Sequence, residues 1–375
     1  MLDGNVLEKI RDGGFSFPLL AGEYQELSKL KGVPQNPDYH AEGDVFCHTQ
    51  MVCGKLVKLP DWQKLGREEQ ELLFLAAAFH DIGKISCTKQ QDGKWVSPKH
   101  TVRGEKEFRR MAYREGARYG LSFRQRETVA KLIRYHGLPV WFWTKKRPDF
   151  NLLEAAECVP LRLLFLLSFA DVQGREADLA GGLSGQVELF ADYAKELDVW
   201  EHPYAFSGAY TKFRYFQKES LWQGTDLYDG LEFDVTVMSG LPLSGKDTWI
   251  GKNGGNLPVV SLDDIRAEMG IPPAKGSGRV VQEALGRARD FLRKKEPFIW
   301  NATNTVQETR QKLVRLFAGY GARVHLIYLE APYGELLARN RKRERHIPEP
   351  VLEDMIRKLE IPAPWEAYEV KWVTE

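Results

Sequence analysis

The stretch Val237–Trp249 reads VMSGLPLSGKDTW, and it decides how the second half of the 375-residue chain folds. It has the form G-x-x-x-x-G-K, with Gly240, Gly245 and Lys246 at the fixed positions. The glycines allow backbone N–H groups to turn toward a phosphate in front of a helix N-terminus, and the lysine reaches the outer phosphates. The next residue, where a hydroxyl normally binds magnesium, is Asp247. The stretch therefore predicts a strand, a phosphate-binding loop and a helix, with one unusual position.

The segments around this loop alternate between apolar strands and helices. We predict strands at Phe233–Met238, Pro258–Leu262, Pro297–Asn301 and Arg323–Leu329. We predict helices at about Leu262–Met269, Val281–Lys295 and Val306–Tyr320. Such alternation is typical of an α/β P-loop NTPase-type parallel sheet, which binds its ligands at the carboxyl ends of the strands. This domain is expected to span residues 233–375.

The first half of the chain has the pattern of a helical domain. Amphipathic stretches predict helices at about Glu42–Leu59, Arg67–Phe79, Arg103–Arg118, Phe123–Tyr135 and Leu152–Ala170. No strand is expected before residue 200, apart from a short hairpin around Asp92-Gly93. We therefore expect an all-α domain over residues 1–180 and a helical, aromatic-rich connector over 181–232. The connector's aromatic residues suit internal packing, which we favour, or stacking on single-stranded bases.

Composition limits the class of protein. A hydrophobic fraction of 43% and a charged fraction of 28% are those of an ordinary globular protein, and the length suggests two domains. The net charge of +1 gives no whole-chain attraction to polyanions. The apolar run Leu161–Ala170 is too short to span a membrane, the N-terminus lacks a signal-peptide core, and the four cysteines have no C-x-x-C spacing. We expect a soluble, cytoplasmic protein without membrane association.

The helical half contains a set of histidines and aspartates suited to a metal site. Four of the eight histidines of the chain belong to it. The set comprises His48, His80, Asp81, His100, His136 and Asp171. Each lies in or beside a predicted helix, and several helices can direct such side chains to one centre. Imidazole and carboxylate ligands together suit Zn, Mn, Fe, Co or Ni.

This pattern, with HDIGK intact, resembles the HD superfamily of metal-dependent phosphohydrolases over residues 40–175. The resemblance implies that His48, His80, Asp81 and Asp171 hold one metal ion. It also implies that Asp81 bridges to a second metal bound by His100 and His136, and that Lys84 contacts the substrate phosphate. Two such metals activate a water and stabilise charge on the phosphoryl group. His40, near the first ligand, is expected at the surface.

The second half carries polar residues at the expected ligand-binding edge of the sheet. Asp263 follows the second strand and can accept a proton from an attacking hydroxyl, with Arg266 one turn further on. Asp263 or its neighbour Asp264 also suits a helix N-cap. Arg339 and Arg343 are four residues apart, so on one helix they would share a face and clamp a nucleotide from a lid. The alternative is that these arginines lie on a solvated helix face and bind nothing.

These segments resemble the 5′-hydroxyl polynucleotide kinases of phages and bacteria over residues 233–357. The matching segments are GLPLSGKDTW, SLDDIR, the T-N step with Arg310, and the R-N-x-K-R lid. The resemblance implies Asp263 as general base toward the 5′-OH, with Arg339 and Arg343 on the donor phosphates and Lys246 at the outer phosphates. The nucleotide-binding loop would be Gly240, Leu241, Pro242, Leu243, Ser244, Gly245, Lys246, Asp247 and Thr248. The nucleic-acid contacts would be Arg266, Asn304 and Arg310.

Asp247 departs from the pattern of these kinases. We expect it to bind Mg²⁺ directly or through water, and Thr248 to supply a hydroxyl to the α-phosphate. An HD module before a polynucleotide-kinase module resembles the bacterial HD-Pnk proteins over nearly the whole chain. That resemblance implies phosphorylation of 5′-OH ends by ATP or another NTP with Mg²⁺. It also implies removal of 2′,3′-cyclic, 2′- or 3′-phosphate from RNA ends, which prepares RNA, and possibly DNA, for a polynucleotide ligase.

Two other functions fit the same motifs. One is a nucleoside or sugar kinase fused to an HD nucleotide phosphohydrolase. The other is a nucleotide sensor whose HD pocket binds without turnover. The complete set of metal-ligating residue types and Asp263 favour an enzyme over a sensor.

Overall fold

A computed structural model describes residues 4–176, 182–217, 221–272, 275–344 and 346–374. The chain divides into two compact units, Met1–Tyr204 and Ala205–Glu375. The boundary expected between residues 180 and 181 lies outside the described residues. The segment expected as a connector is shared between the two units, because the helix Leu183–Glu196 belongs to the first and residues from Ala205 onward belong to the second.

The first unit is helical, as predicted, with one small hairpin. Its helices are α1 (Val6–Asp12), α2 (Phe17–Glu23), α3 (Gln25–Ser28), α4 (Val45–Leu56), α5 (Arg67–Phe79), α6 (Lys84–Cys87), α7 (His100–Arg114), α8 (Gly116–Tyr119), α9 (Phe123–Tyr135), α10 (Leu138–Trp141), α11 (Pro148–Ala156), α12 (Leu161–Gln173) and α13 (Leu183–Glu196). Two 3₁₀ turns lie at Pro60–Lys64 and Phe142–Thr144. The hairpin pairs β1 (Lys89–Gln91) with β2 (Lys94–Val96) around the predicted turn.

Helix α5 is the centre of the first unit. The side chain of Glu69 accepts a hydrogen bond from the Gly66 N–H at 3.3 Å, which caps the helix start. Its second half, from Leu72 to Phe79, is buried, and each fully buried Leu or Phe contributes about 1.5–3 kcal/mol relative to exposure. Because α5 packs against α4, α9 and α12, these four helices bring their polar ends to one region.

The helix predicted over Leu152–Ala170 is two helices in the structure. The first, α11, ends at Ala156, and α12 begins at Leu161 directly after Pro160. Proline lacks an N–H donor and disfavours helical conformation in the residue before it, so the helix cannot continue through Pro160. The break gives α12 its own direction and places Asp171 near its C-terminal end.

The second unit is a parallel sheet covered by helices, which confirms the predicted fold class. Its strands are β3 (Phe233–Ser239), β4 (Val259–Ser261), β5 (Phe298–Asn301), β6 (Ala322–Glu330) and β7 (Glu369–Thr374). Its helices are α14 (Ala209–Gln217), α15 (Lys246–Asn253), α16 (Leu262–Glu268), α17 (Ser277–Lys294), α18 (Gln307–Gly319), α19 (Tyr333–Arg341) and α20 (Glu349–Lys358). The strand order is β4-β5-β3-β6-β7, with every described neighbour parallel.

The central strand β3 carries the phosphate-binding loop at its carboxyl end. Val235 pairs with Phe298 of β5 on one side and Val324 of β6 on the other. All three side chains are buried in the core of the unit. The β7 strand was not predicted, because it lies at the sheet edge and its alternate positions are exposed.

Aromatic residues of the expected connector pack inside the second unit. Phe213, Tyr215 and Phe216 are buried, and the Phe216 ring stacks on Trp365 with centroids 5.6 Å apart. These three rings therefore do not offer open faces to bases, which supports the packing interpretation for them. Within the described ranges, no helix is both long enough and apolar enough to cross a bilayer.

Candidate functional site

In the first unit, the ends of several helices converge on the predicted metal ligands. His80 caps the C-terminus of α5, and His136 does the same for α9. His48 lies on α4, Asp171 lies on α12, and His100 begins α7. His48, His80, His136 and the two aspartates are at most 3% exposed. A single buried centre thus collects polar side chains from five segments.

Asp81 lies among the histidines. Its Oδ2 is 3.2 Å from His80 Nε2 and 3.9 Å from His48 Nε2. Its Oδ1 is 3.6 Å from His100 Nε2 and 4.0 Å from His136 Nε2. The two carboxylate oxygens therefore face different pairs of histidines. Each oxygen of this carboxylate therefore lies beside its own pair of imidazole donors.

Another contact between predicted ligands joins the first and the last residue of the motif. His48 Nε2 is 3.0 Å from Asp171 Oδ1, although the two residues are 123 positions apart in the chain. His48, His80 and Asp171 have ligand atoms close enough for one ion to contact all three, and so do His80, Asp81 and His136. The structure therefore brings together all six predicted metal ligands.

Three of the histidines make the same hydrogen bond to the backbone through Nδ1. The Nδ1 atoms of His80, His100 and His136 lie 2.7, 3.0 and 2.9 Å from the backbone carbonyl three residues earlier. A carbonyl only accepts, so each Nδ1 carries the hydrogen and donates it. In the neutral ring, Nε2 then has a free lone pair. Burial, with His80 and His100 nearby, lowers the pKa of His136 to about 3 and keeps that ring neutral.

The donors fit divalent metal ions. Among the described residues, His80 Nε2 and Asp81 Oδ1 are buried without a hydrogen-bond partner. A buried polar atom without a partner is costly and rare, and a metal ion is one explanation of it. Mixed imidazole and carboxylate donors suit Mn, Fe, Co, Ni or Zn, as the sequence predicted.

Two cations balance the aspartates. Lys84 Nζ lies 2.7 Å from Asp81 Oδ2 and donates to Gln35 Oε1 at 2.8 Å. Arg175 donates to Asp171 Oδ2 at 2.7 Å. Burial opposes ionisation of both aspartates. The nearby Lys84 and His80 nevertheless hold the pKa of Asp81 well below its usual range, and Arg175 and His48 do so for Asp171.

A glycine explains how His100 reaches this centre. A Cβ at Gly83 of the HDIGK motif would lie 2.1 Å from the His100 carbonyl oxygen and 2.5 Å from the Gly104 nitrogen. Only glycine permits α7 to approach the turn after Asp81 this closely. The motif glycine thus supports the placement of a ligand that lies 19 residues after Asp81.

The sequence suggested that His40 lies at the surface, but its side chain is largely buried. Its side chain is 10% exposed, and its ring centroid lies 4.6 Å from that of His48. Its Nδ1 is 2.7 Å from Glu42 Oε1, and the same oxygen is 2.7 Å from His48 Nδ1. Sequence analysis missed Glu42 and Arg175 because a single carboxylate or guanidinium in a polar context resembles a solvated residue.

In the second unit, the loop after β3 has the backbone of a phosphate cradle. Gly240 has φ +143°, and its N–H donates to the Thr303 carbonyl at 2.8 Å. A Cβ there would lie 2.4 Å from the Leu329 carbonyl oxygen. Gly245, with φ +97°, directly precedes α15. Both glycines therefore adopt conformations that other residues rarely reach.

Lys246 folds back over this loop. Its Nζ donates to the carbonyls of Gly240 and Leu241 at 3.1 and 2.8 Å. Burial of the ammonium lowers its pKa to about 8, opposed by the attraction of Asp247 and Asp263 and assisted by Arg343. Asp263 and Arg343 are thus close enough to act electrostatically on the loop lysine, although they are distant in sequence.

The other loop residues have distinct positions. Leu241 and Ser244 are buried, Pro242 and Leu243 are half-buried, and Thr248 is exposed on the first turn of α15. The Ser244 hydroxyl is buried without a hydrogen-bond partner in the described part of the chain. Leu243, with φ +70°, presents its carbonyl to Arg339, which donates to it at 2.8 Å.

Asp247 is exposed, and its carboxylate is oriented by the sheet. Asn301, at the end of β5, donates from Nδ2 to Asp247 Oδ1 at 2.7 Å. In the sequence, Asn301 was only the last residue of the third predicted strand. The contact places a carboxylate directly after the loop lysine and connects it to the neighbouring strand.

The predicted general base is not used as a helix cap. Ser261 is the N-cap of α16, and its Oγ accepts from the Asp264 N–H at 3.3 Å. Asp263 therefore stands in the first turn without the capping role considered for it or Asp264. Arg266 donates to the carbonyls of Pro272 and Lys275 and to Ser277 Oγ, at 2.9–3.1 Å. It holds the loop before α17 in addition to facing solvent.

Two predicted nucleic-acid contacts are internal. Arg310 is 0% exposed and pairs with Glu366 through two hydrogen bonds of 2.7 and 2.9 Å. Asn304 is buried, donates from Nδ2 to the Met238 carbonyl at 2.7 Å, and has φ +43°. Asn304 thus holds the end of β3, and Arg310 donates to the Asn304 carbonyl at 3.1 Å. Both side chains are buried and have no open face for a strand.

The arginine pair of the predicted lid does not share one helix. Arg339 lies in the last turn of α19, whereas α19 ends at Arg341 and Arg343 follows in a turn. The Arg343 N–H donates to the Asn340 carbonyl at 3.2 Å. The two side chains therefore extend from different backbone segments, the helix and the turn after it. Arg345, two residues after Arg343, lies outside the described residues.

Comparison with known protein families matches each unit separately. Residues 45–165 match the HD domain family, and residues 235–362 match an AAA domain family of P-loop, kinase-like type. None of the curated proteins compared with the chain matches it. The HD match includes five of the six predicted ligands and ends before Asp171. The chain therefore joins an HD domain to a P-loop kinase-like domain, which supports a fused phosphohydrolase and kinase.

Proposed function

We propose that this chain repairs polynucleotide ends with two opposite phosphoryl-transfer activities. The P-loop domain phosphorylates 5′-OH ends with ATP or another NTP. The HD domain removes 2′,3′-cyclic, 2′- or 3′-phosphate from RNA ends. The observation that carries the proposal is the pairing, in one chain, of a phosphate loop coupled to Asp263 with a buried centre of four histidines and two aspartates.

In the kinase reaction, the loop N–H groups and Lys246 bind the donor phosphates. Lys246 exchanges its contacts with the loop carbonyls for phosphate oxygens, which restores favourable surroundings for its charge. Asp263 accepts the proton of the attacking 5′-hydroxyl. Arg343 stabilises charge on the transferred phosphoryl group, and Arg339 orders the loop through the Leu243 carbonyl.

Asp247, whose carboxylate replaces the usual hydroxyl, would hold the magnesium that accompanies the nucleotide. The Asn301 amide occupies one oxygen of that carboxylate and leaves the other for the ion or for one of its waters. Thr248, exposed on the first turn of α15, supplies a hydroxyl to the α-phosphate. Arg266 contacts the phosphate of the acceptor strand.

In the hydrolase reaction, His48, His80, Asp81 and Asp171 would hold one divalent metal, and Asp81, His100 and His136 would hold a second. When bound, such metals supply an activated water and Lewis-acid stabilisation of the phosphoryl oxygens. The chain itself supplies fixed Nε2 donors, because carbonyls hold the Nδ1 hydrogens. Lys84 donates to the substrate phosphate from its position beside Asp81.

The proposed substrates and products indicate which reactions come before and after this one. Ribonuclease cleavage leaves 5′-OH and 2′,3′-cyclic phosphate ends, which are the two substrates proposed here. The combined activities yield 3′-OH and 5′-phosphate ends, which a polynucleotide ligase joins. RNA is the proposed substrate of both sites, and DNA ends are an additional acceptor for the kinase.

A second candidate is a nucleoside or sugar kinase fused to a nucleotide phosphohydrolase. The interior positions of Asn304 and Arg310 favour it, because they remove two of three predicted strand contacts. Transfer of labelled γ-phosphate to a 5′-OH oligonucleotide, compared with nucleosides and sugars, separates the two. We expect labelled oligonucleotide with the wild-type chain and none with Asp263→Asn. Transfer only to the small molecules contradicts the repair function.

A further inference from the structure

We propose that Glu42 is a positioning residue that orients the metal ligand His48 and strengthens metal binding by the HD domain. Glu42 lies outside both the predicted ligand set and the matched HD range of residues 45–165. The inference rests on the proposed metal-dependent hydrolase. It adds an outer layer to that site, built from residues 40–42 and the chain just after α12.

The Glu42 side chain is buried and held on several sides. It is 1% exposed, and its Oε1 lies 2.7 Å from His48 Nδ1 and 2.7 Å from His40 Nδ1. Its Oε2 accepts from the Glu176 N–H at 2.9 Å. The Ala41 N–H in turn donates to the Glu176 carbonyl at 3.0 Å. This segment is therefore tied to the residues that immediately follow Arg175, the partner of Asp171.

His48 needs such a partner because it lacks the orientation device of the other three histidines. The rings of His80, His100 and His136 donate to the carbonyl three residues earlier. The corresponding carbonyl for His48 is that of Val45, and it accepts from Thr49 Oγ1 at 2.7 Å. Glu42 Oε1 lies 2.7 Å from His48 Nδ1, which forms no other hydrogen bond among the described residues, so this carboxylate is the acceptor within its reach. With the Nδ1 hydrogen turned to Glu42, the lone pair of Nε2 would face Asp171 and Asp81.

Glu42 also changes the charge of the centre. Glu42, Asp81 and Asp171 face the two cations Lys84 and Arg175, so the group has one excess negative charge. Without Glu42 that excess disappears. A carboxylate behind a ligating imidazole makes the ring a stronger donor, and removal of such a partner typically weakens metal affinity about 10- to 100-fold.

Titration of Mn²⁺ into the metal-free full-length chain tests the inference through a dissociation constant. We expect Glu42→Gln to weaken Mn²⁺ binding about 10- to 100-fold. We expect Glu42→Asp, which keeps the charge but withdraws the oxygens, to lie between that variant and the wild type. Glu71→Gln is the matched control: Glu71 is a buried carboxylate on α5 that does not contact the centre, so its affinity should stay unchanged.

The melting temperature of each metal-free variant separates positioning from folding. Weaker Mn²⁺ binding by Glu42→Gln at a melting temperature equal to that of Glu71→Gln supports the inference. Equal Mn²⁺ affinity in Glu42→Gln and the wild type overturns it. If Glu42→Gln fails to fold, wild-type affinity in Glu42→Asp overturns it in the same way. A wild-type chain that binds no Mn²⁺, Co²⁺, Ni²⁺, Zn²⁺ or Fe²⁺ contradicts instead the proposed hydrolase.

Discussion

The Nδ2 atom of Asn301 donates a hydrogen bond of 2.7 Å to the Oδ1 atom of Asp247. The bond joins the first turn after the phosphate loop to the end of the neighbouring strand β5. It orients a carboxylate at the position where a hydroxyl usually contacts magnesium. The unusual residue of the loop is therefore held in place by its surroundings.

Replacement of Lys246 and replacement of Asp247 should have different effects on the kinase activity. We expect Lys246→Ala to lose 5′-kinase activity, by at least about 100- to 1,000-fold, because a positioned donor to the phosphates is removed. We expect Asp247→Ser to retain activity, because serine restores the usual hydroxyl. Initial rates of γ-phosphate transfer to a 5′-OH oligonucleotide measure both. Loss of activity in Asp247→Ser would mean that the carboxylate itself is an indispensable magnesium ligand.

Nucleotide affinity should depend on pH through Lys246. Burial lowers its pKa to about 8, and a bound phosphate raises it again by stabilising the charged form. The affinity is therefore constant below about pH 8 and falls as pH rises above that value, by up to about tenfold per pH unit. Titration of a non-hydrolysable ATP analogue from pH 7 to pH 9.5 checks this. Lys246→Met should flatten the profile, and a flat wild-type profile would contradict the assignment.

The buried pair of Arg310 and Glu366 should matter for stability. Glu366→Gln leaves a guanidinium that is 0% exposed without its counter-charge, which typically costs about 3–5 kcal/mol. Denaturant unfolding of the full chain, monitored by a signal from the second unit, measures the loss of stability. Lys312→Ala removes an exposed ion pair on the same helix and should leave the stability unchanged. Normal stability in Arg310→Lys with weakened RNA binding would instead restore the nucleic-acid role.

The two activities should separate by mutation. We expect Asp81→Asn to bind less metal and lose phosphatase activity, because its two oxygens face different pairs of histidines. Its kinase activity should remain. Asp263→Asn should show the reverse pattern. Metal content after dialysis and separate assays of each RNA end measure the outcome. Equal metal content in Asp81→Asn and the wild type would exclude a bridging role for this carboxylate.

Local signals were predictable from the sequence. The bounds of α5 and α9 match the predicted ones, because capping and amphipathic spacing act within a few residues. The parallel sheet followed from the alternation of strands and helices. The convergence of His48, His80 and Asp171 could be anticipated because the motif resembles a family, although no spacing rule brings these residues together.

Long-range contacts were less predictable. Arg310 is buried against Glu366, which lies 56 residues away in the chain. The fold of the C-terminal segment brings the two side chains together. Glu42 Oε1 lies 2.7 Å from His48 Nδ1, although the sequence placed Glu42 at the start of a predicted helix and not in the metal centre. The edge strand β7 has no fully buried position and no strong apolar pattern. Each case involves a partner chosen by tertiary structure, which local pattern does not encode.

The most direct test of the account uses one RNA that carries a 5′-OH at one end and a 2′,3′-cyclic phosphate at the other. The full chain is incubated with it and ATP, while magnesium and Mn²⁺ are varied separately. We predict that the 5′ end gains a phosphate and the 3′ end becomes a free hydroxyl, and that Asp81→Asn abolishes only the second change. A product with both original ends intact under every metal condition would contradict end repair.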